Sequence, residues 1–179
     1  HDHPLFAHNA KVLEARPSLV PVLQVNILIS RTVVSPQASL VGEELAGTEM
    51  NILVTGCEGQ VALSLVERAH ARSTMNVETV GRPELDLTHP DSVIDAILRR
   101  RPDIVVSAAA YTAVDKAEEE SDLAWAVNAS GARAVALAAA QLGVPVVHLS
   151  ADYVFSGDKD GVYFEDDPVA PQSAYGRTK

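Results

Sequence analysis

A single cysteine, Cys57, stands in 179 residues. That rules out an internal disulfide and leaves no cysteine set for a metal cluster. A reducing, cytoplasmic setting fits this usage. Basic residues are also scarce, with 14 Lys and Arg against 24 Asp and Glu and a net charge of −10. This argues against a nucleic-acid partner, because phosphate contacts need clustered cations. The acidity serves solubility. No run of 18 uninterrupted apolar residues occurs, so no membrane span is expected. The richest early stretch, Leu19–Val34, is broken by Pro21, Gln24, Asn26, Ser30 and Arg31. It has no basic lead followed by a cleavage site and makes a poor signal peptide. Repeats are absent. His1, His3 and His8 lack the Cys or carboxylate spacing of a metal site.

What is present begins at Met50. Ile52, Leu53 and Val54 form a short apolar run, as in a strand buried on both faces. Thr55-Gly56-Cys57-Glu58-Gly59 reads as a turn. From Gln60 the apolar spacing becomes helical through Val61, Leu65 and Ala69. Strand, glycine turn and helix together suit a dinucleotide pyrophosphate. Gly56 permits the tight turn, Gly59 lets backbone N–H groups approach phosphate, and Ala62 takes the third, close-packing position. A strand–helix turn that binds nothing stays open on this stretch alone. Cys57 reads as a small filler rather than a reactive thiol.

The alternation then continues. A helix over 60–72 precedes a strand over 76–80, which Gly81-Arg82-Pro83 ends. Thr88 is expected as N-cap of the next helix, with Pro90 in its first turn. That helix runs to about Arg101 and buries Val93, Ile94, Ile97 and Leu98. Ile104-Val105-Val106 is the third strand. Helical spacing resumes near Ser121 and reaches Leu142, with a break near Asn128, and Gly143 ends it. Val144–Leu149 is the fourth strand. Four β/α alternations predict an α/β fold, a Rossmann-type doubly wound parallel sheet with its loops along one edge. The acidic loop 158–167 lacks the order of a calcium site.

Two segments divide the chain. Residues 1–49 have no period or motif and are expected to be a poorly ordered extension. Residues 50–179 are the nucleotide-binding domain. Both ends read as cut, since the first residue is His1 and the last, Lys179, falls inside a motif. A C-terminal substrate domain is therefore expected to be missing, and the fragment itself to be inactive.

That motif is Tyr175 and Lys179, four apart. On a helix they share a face, with Cβ atoms roughly 5–6 Å apart. A free tyrosine has a pKa of about 10 and is a poor acid–base catalyst at neutral pH. A neighbouring ammonium is expected to lower it. Such a tyrosine can protonate a carbonyl oxygen as hydride reaches the carbon.

With both motifs in place, residues 50–179 resemble the extended short-chain dehydrogenase/reductases, and within them the dTDP-4-dehydrorhamnose reductases. The matching stretches are MNILVTGCEGQVA, ELDLTHPDSV, RPDIVVSAAAYTAVDKAE, VHLSADYVFSGDKDG and DDPVAPQSAYGRTK. The resemblance implies NAD(P)H-dependent reduction of the 4-keto group of dTDP-4-dehydro-6-deoxy-L-mannose. The product is dTDP-L-rhamnose, a precursor of bacterial surface polysaccharide. It implies that Gly56, Gly59, Gln60 and Val61 contact the pyrophosphate, that Asp86 and Leu87 lie by the adenine, and that Ala110, Tyr111 and Thr112 line the nicotinamide side. Tyr175 is the implied proton donor, and Lys179 holds the nicotinamide ribose. Ala151, Asp152 and Tyr153 face the substrate, or serve strand-end packing. Arg82, at the end of the second strand, favours NADPH with NADH tolerated; an ordinary surface charge is the alternative. A homodimer is an option for the full-length protein.

Three departures qualify the resemblance. The family usually has Thr or Ser immediately before Asp-Tyr, hydrogen-bonding the reacting oxygen, where this chain has Ala151. Ser150 is adjacent, but strand neighbours point to opposite faces, so it replaces that hydroxyl only if the strand end twists; otherwise reduced activity, or compensation by a water or Ser107, is expected. Ser64 stands where some members carry a Glu that helps bind magnesium, so no metal is expected. The third departure is the missing substrate domain. Two other readings compete. One is a non-catalytic nucleotide-binding subunit like the regulatory beta subunit of methionine adenosyltransferase. The other is an epimerase or dehydratase on a different sugar nucleotide.

Overall fold

The computed structural model describes residues 27–30 and 49–179. The expectations for His1, His3, His8 and most of the leading segment lie outside these residues. Strands β1 (Ile27–Ser30), β2 (Met50–Thr55), β3 (Met75–Val80), β4 (Ile104–Ser107) and β5 (Val146–Leu149) form one sheet, in the order β1-β5-β4-β2-β3. The four strands expected from the sequence are parallel. β1 adds an antiparallel edge beside β5, pairing Ile27 with Leu149 and Ser30 with Val146. Nothing in the sequence announced that strand.

Alternation across the sheet divides the core. Leu53 faces one side, where α2 (Pro90–Arg100) and α4 (Ala132–Leu142) bring Val93, Ala96, Ile97, Val135 and Ala138. Val54 faces the other, against Ala62 and Leu65 of α1 (Gln60–His70). Each fully buried Leu, Ile or Val contributes roughly 1.5–3 kcal/mol. On α2, Ala96 is fully buried and Leu98 only partly so, a shift from the sequence expectation. His89, not Thr88, occupies the N-cap position of α2 and makes no side-chain cap. Thr88 is drawn away by Asp86, whose Oδ1 accepts from the Thr88 amide at 2.9 Å and its hydroxyl at 2.7 Å. Pro90 does open the helix.

The long helical stretch Ser121–Leu142 is apolar and long enough to cross a membrane by length and composition alone. Here Ala134, Val135, Ala138 and Ala139 pack into the core. Its expected break near Asn128 is a wide π turn over Ala126–Gly131, between α3 (Ser121–Trp125) and α4.

The register fixes the working edge. Thr55 pairs with Val80 and with Ser107, and Ser107 with His148. The loops after these strands therefore emerge side by side. Between β2 and β4 the winding reverses, which opens a crevice at that edge.

Candidate functional site

The crevice is a cavity of about 990 Å³. At its floor lies the glycine turn. Gly56 has φ +94°, and a Cβ there would sit 3.2 Å from that of Ala109. The Thr55 hydroxyl is fully buried and accepts from the amides of Ala108 and Ala109, at 3.1 and 3.2 Å. That bond ties the turn to the loop after β4. Gly59 caps α1 with no side-chain partner, and a Cβ on it would meet nothing within 4 Å. The first turn of α1 thus presents bare N–H groups and the positive end of the helix dipole to the cavity. This open cradle fits the diphosphate of a dinucleotide. Gly56, Gly59, Gln60 and Val61 all line it, with Cys57 and Glu58.

Arg82, Asp86 and Leu87 line the same cavity beyond the end of β3. The two bonds from Thr88 hold the Asp86 carboxyl below the usual range, helped by charge from His89 and Arg82. Leu87 is fixed by a close approach from the π turn, where a Cβ on Gly131 would fall 2.7 Å from Leu87 Cβ.

Ala110, Tyr111, Thr112, Tyr175 and Lys179 line the remaining wall. The Tyr111 hydroxyl donates to Glu120 Oε2 at 2.7 Å, which pushes its pKa up to about 12. Tyr175 and Lys179 lie at α5 (Ala174–Thr178). Three bonds position that short helix. The Ser173 hydroxyl accepts from the Gly176 amide at 3.0 Å, Glu118 Oε1 accepts from the Ala174 amide at 2.8 Å, and Asn128 donates to Thr178 Oγ1 at 3.0 Å. Gly176 is required by contact, since a Cβ would fall 2.2 Å from the Tyr153 carbonyl oxygen.

The electrostatics of the pair correct the sequence expectation. Burial pushes the Tyr175 phenol up, reinforced by Asp152 and Tyr153. Lys179 does not offset this. Burial pushes its own pKa down, and its ammonium donates to the Leu149 carbonyl at 2.8 Å. Tyr175 is therefore a phenol at neutral pH, suited to giving a proton.

The residues expected to face the substrate lie at the strand end, outside the lining of this cavity. Ala151 is not on the cavity wall; it packs with Tyr175, Ala117, Ala124 and Ala174. Tyr153 lies outside the wall too, edge-on to Tyr175 at 5.4 Å between ring centres. Asp152 is exposed nearby and raises the phenol's pKa. Ser150 lines the cavity next to Leu149, because β5 ends at Leu149 and strict alternation ends with it. Ser107, the expected substitute hydroxyl, is buried and engaged with His148 Nδ1 at 3.1 Å. Sequence reasoning read Thr55 only as part of the turn and Asn128 only as a helix break, and gave neither a role in the site. A polar Asn inside an apolar helical pattern was the available signal for the second.

A parallel sheet with a glycine cradle at its switch point, and a Tyr and Lys facing that cradle, define a Rossmann-type domain of the short-chain dehydrogenase/reductase class. Residues 50–179 match the family model described as the RmlD substrate binding domain, and the chain belongs to that family. It is 53% identical over 130 residues to a dTDP-4-dehydrorhamnose reductase of Sinorhizobium fredii, a match covering 73% of this chain and 43% of that protein. It is 45% identical over 131 residues to a probable dTDP-4,6-dihydroxy-2-methyloxan-3-one 4-ketoreductase of Streptomyces antibioticus, covering 73% and 44%. Among solved structures it is similar to the dTDP-4-dehydrorhamnose reductase of Bacillus anthracis in complex with NADP. There the TM-score is 0.70 and the identity 36%, over 74% of this chain and 47% of that one. The chain spans less than half the length of the curated relatives it matches.

Proposed function

We propose that the full-length protein is an NADPH-dependent reductase of the 4-keto group of dTDP-4-dehydro-6-deoxy-L-mannose, yielding dTDP-L-rhamnose. The observation that carries this reading is the single cavity that unites the Gly59 cradle with Tyr175 and Lys179. NADPH supplies the hydride when bound. Gly56, Gly59, Gln60 and Val61 hold its diphosphate, Asp86 and Leu87 flank the adenine, and Arg82 meets the 2′-phosphate. Ala110, Tyr111 and Thr112 wall the nicotinamide side, where Lys179 takes the ribose. The Tyr175 phenol gives its proton to the substrate's carbonyl oxygen as the carbon is reduced. Its raised pKa supports the donor role. Asp152 and Tyr153, both close to Tyr175, face the substrate in this reading.

The reading also includes a cytoplasmic location, a dTDP-sugar as the small-molecule partner, and a homodimer of full-length chains. A net charge of −10 supports the absence of a nucleic-acid partner. Retention of both Tyr175 and Lys179 on the cavity wall weighs against a purely regulatory nucleotide-binding subunit.

The test is NADPH oxidation by the full-length protein, offered dTDP-4-dehydro-6-deoxy-L-mannose and, in parallel, the ketone named for the Streptomyces relative. Tyr175→Phe is expected to abolish most turnover and keep nucleotide binding. A parent that binds NADPH yet reduces neither sugar would favour the regulatory reading.

A further inference from the structure

We propose that Glu118 is a positioning residue for Tyr175, a role that rests on the reductase reading: its carboxylate ties the helix that carries the phenol to the loop that walls the nicotinamide side. Proton transfer tolerates little error in placement, since a displacement of about 1 Å can cost roughly 100-fold in rate. Yet Tyr175 sits on α5, a helix of five residues. A helix that short does not hold itself in water, so its placement comes from tertiary contacts.

The residues on either side of Tyr175 are each anchored, and by different parts of the chain. Gly176 is held from nearby: its amide donates to the Ser173 hydroxyl at 3.0 Å, and it packs against the Tyr153 carbonyl. Ala174 is buried, and its amide donates to Glu118 Oε1 at 2.8 Å, across 56 positions of sequence. Glu118 ends the short turn Lys116–Glu118, a few residues after the wall residues Ala110, Tyr111 and Thr112. That turn is itself fixed. The Ala117 amide donates to the Ala113 carbonyl at 3.0 Å, and the Glu120 amide to the Lys116 carbonyl at 2.8 Å. The fully buried Ala117 packs in one cluster with Ala174 and Tyr175. Just beyond, Glu120 accepts from the Tyr111 hydroxyl at 2.7 Å. Residues 116–120 thus grip the wall with one carboxylate and the start of α5 with another. A hydrogen bond to a carboxylate is shorter and stronger than a neutral one, and its removal leaves a buried amide without a partner. Glu119, between the two, is exposed and has no part in either bond.

The experiment uses the full-length protein and four variants: Glu118→Ala, Glu118→Gln, Glu118→Asp and, as a control for charge, Glu119→Ala. Turnover is counted per NADPH-binding site, so that unfolded protein does not enter the comparison. Expected for Glu118→Ala is a fall in kcat of roughly 10- to 100-fold, with NADPH affinity near that of the parent. Glu118→Gln keeps an acceptor oxygen at the same reach and most of the rate. Glu118→Asp keeps the charge but draws the oxygen back, and stays slow. Glu119→Ala removes the same charge from the same turn and turns over like the parent. A second readout is independent of turnover: tyrosinate absorbance, taken as the difference between each protein and its Tyr175→Phe counterpart. Burial holds the Tyr175 phenol up, so a loosened α5 should let its titration fall toward the free value of about 10 in Glu118→Ala and Glu118→Asp alone. A parent-like kcat with a parent-like Tyr175 titration in Glu118→Ala would overturn the assignment. Rescue by Glu118→Asp but not by Glu118→Gln would overturn it too, leaving charge as the cause. A parent that binds NADPH and reduces no keto sugar would remove the reductase reading, and the titration series would still decide for or against Glu118.

Discussion

The Asn128 carboxamide brackets the main chain of Tyr111. Its Oδ1 accepts from the Tyr111 amide at 2.8 Å and its Nδ2 donates to the Tyr111 carbonyl at 3.0 Å. The same Nδ2 reaches Thr178 Oγ1 at 3.0 Å. One buried side chain in the π turn thus joins the loop after β4 to the helix bearing Tyr175. An isolated π turn in a helix often marks such a functional position.

Removing that carboxamide should loosen both walls at once. Asn128→Ala leaves the Tyr111 backbone groups without their partner, at about 1–3 kcal/mol for each buried group left unpaired. Asn128→Asp should cost more, because a buried carboxylate would face the Tyr111 carbonyl. Urea unfolding of the full-length protein checks the order parent, Ala, Asp. A parent-like midpoint for Asn128→Asp would show that the bracket carries no stability.

Two glycines should respond in opposite ways. Gly59 has φ −72° and ψ 150°, which alanine adopts freely, and its Cβ would meet nothing in the protein. Gly59→Ala should leave stability within about 0.5 kcal/mol. The new methyl would stand where the diphosphate approaches, so NADPH affinity should fall by roughly tenfold or more, at least 1.4 kcal/mol. Gly176→Ala should instead destabilise the fold by about 1–3 kcal/mol or more, since its Cβ collides with the Tyr153 carbonyl. Thermal unfolding alongside nucleotide titration separates the two. Equal NADPH affinity in Gly59→Ala would dismiss the cradle as a phosphate site.

Local patterns announced the scaffold because local physics sets it. The apolar runs of β2 to β5, the glycine turn and the break at Asn128 are each decided by neighbours in sequence. The cofactor-site residues that the family resemblance implied line one cavity because parallel strands in register bring their loops to one edge. Long-range contacts were beyond such reasoning. The Lys179 ammonium goes to the Leu149 carbonyl rather than to the phenol beside it on the helix. Tyr175 is buried by Ala117 and Ala124, residues far from it in the chain, and that burial reverses the expected direction of its pKa. The antiparallel pairing of β1 with β5 also joins distant segments, and no local period marks it.

Arg82 offers a test of cofactor choice. It lines the cavity beside Asp86, and its charge is one of those that hold the Asp86 carboxyl down. A guanidinium there can meet the 2′-phosphate that distinguishes the two nicotinamide cofactors. Arg82→Ala should weaken NADPH by roughly tenfold and leave NADH nearly unchanged. Equal losses for both cofactors would make Arg82 a general surface charge. Fluorescence titration of the full-length protein with each cofactor gives the ratio.

After burial, the neighbouring Asp152 should help set the alkaline limit of the proposed reaction. Burial, Asp152 and Tyr153 all disfavour the Tyr175 phenolate, so the folded pKa lies above the free value of about 10. The sign follows from linkage. A group whose pKa rises on folding contributes stability that is complete below the unfolded pKa and disappears as pH climbs through the folded one. The proton needed for reduction is therefore in place throughout the neutral range, and the rate should be lost only on the alkaline side. Asp152→Asn removes a negative charge from beside the phenol, makes ionisation easier, and should move that alkaline limb to lower pH. Tyrosinate absorbance, taken as the difference between each protein and its Tyr175→Phe counterpart, isolates this one titration. If the limb and the difference titration both stay in place, Asp152 acts on substrate alone and not on the acid.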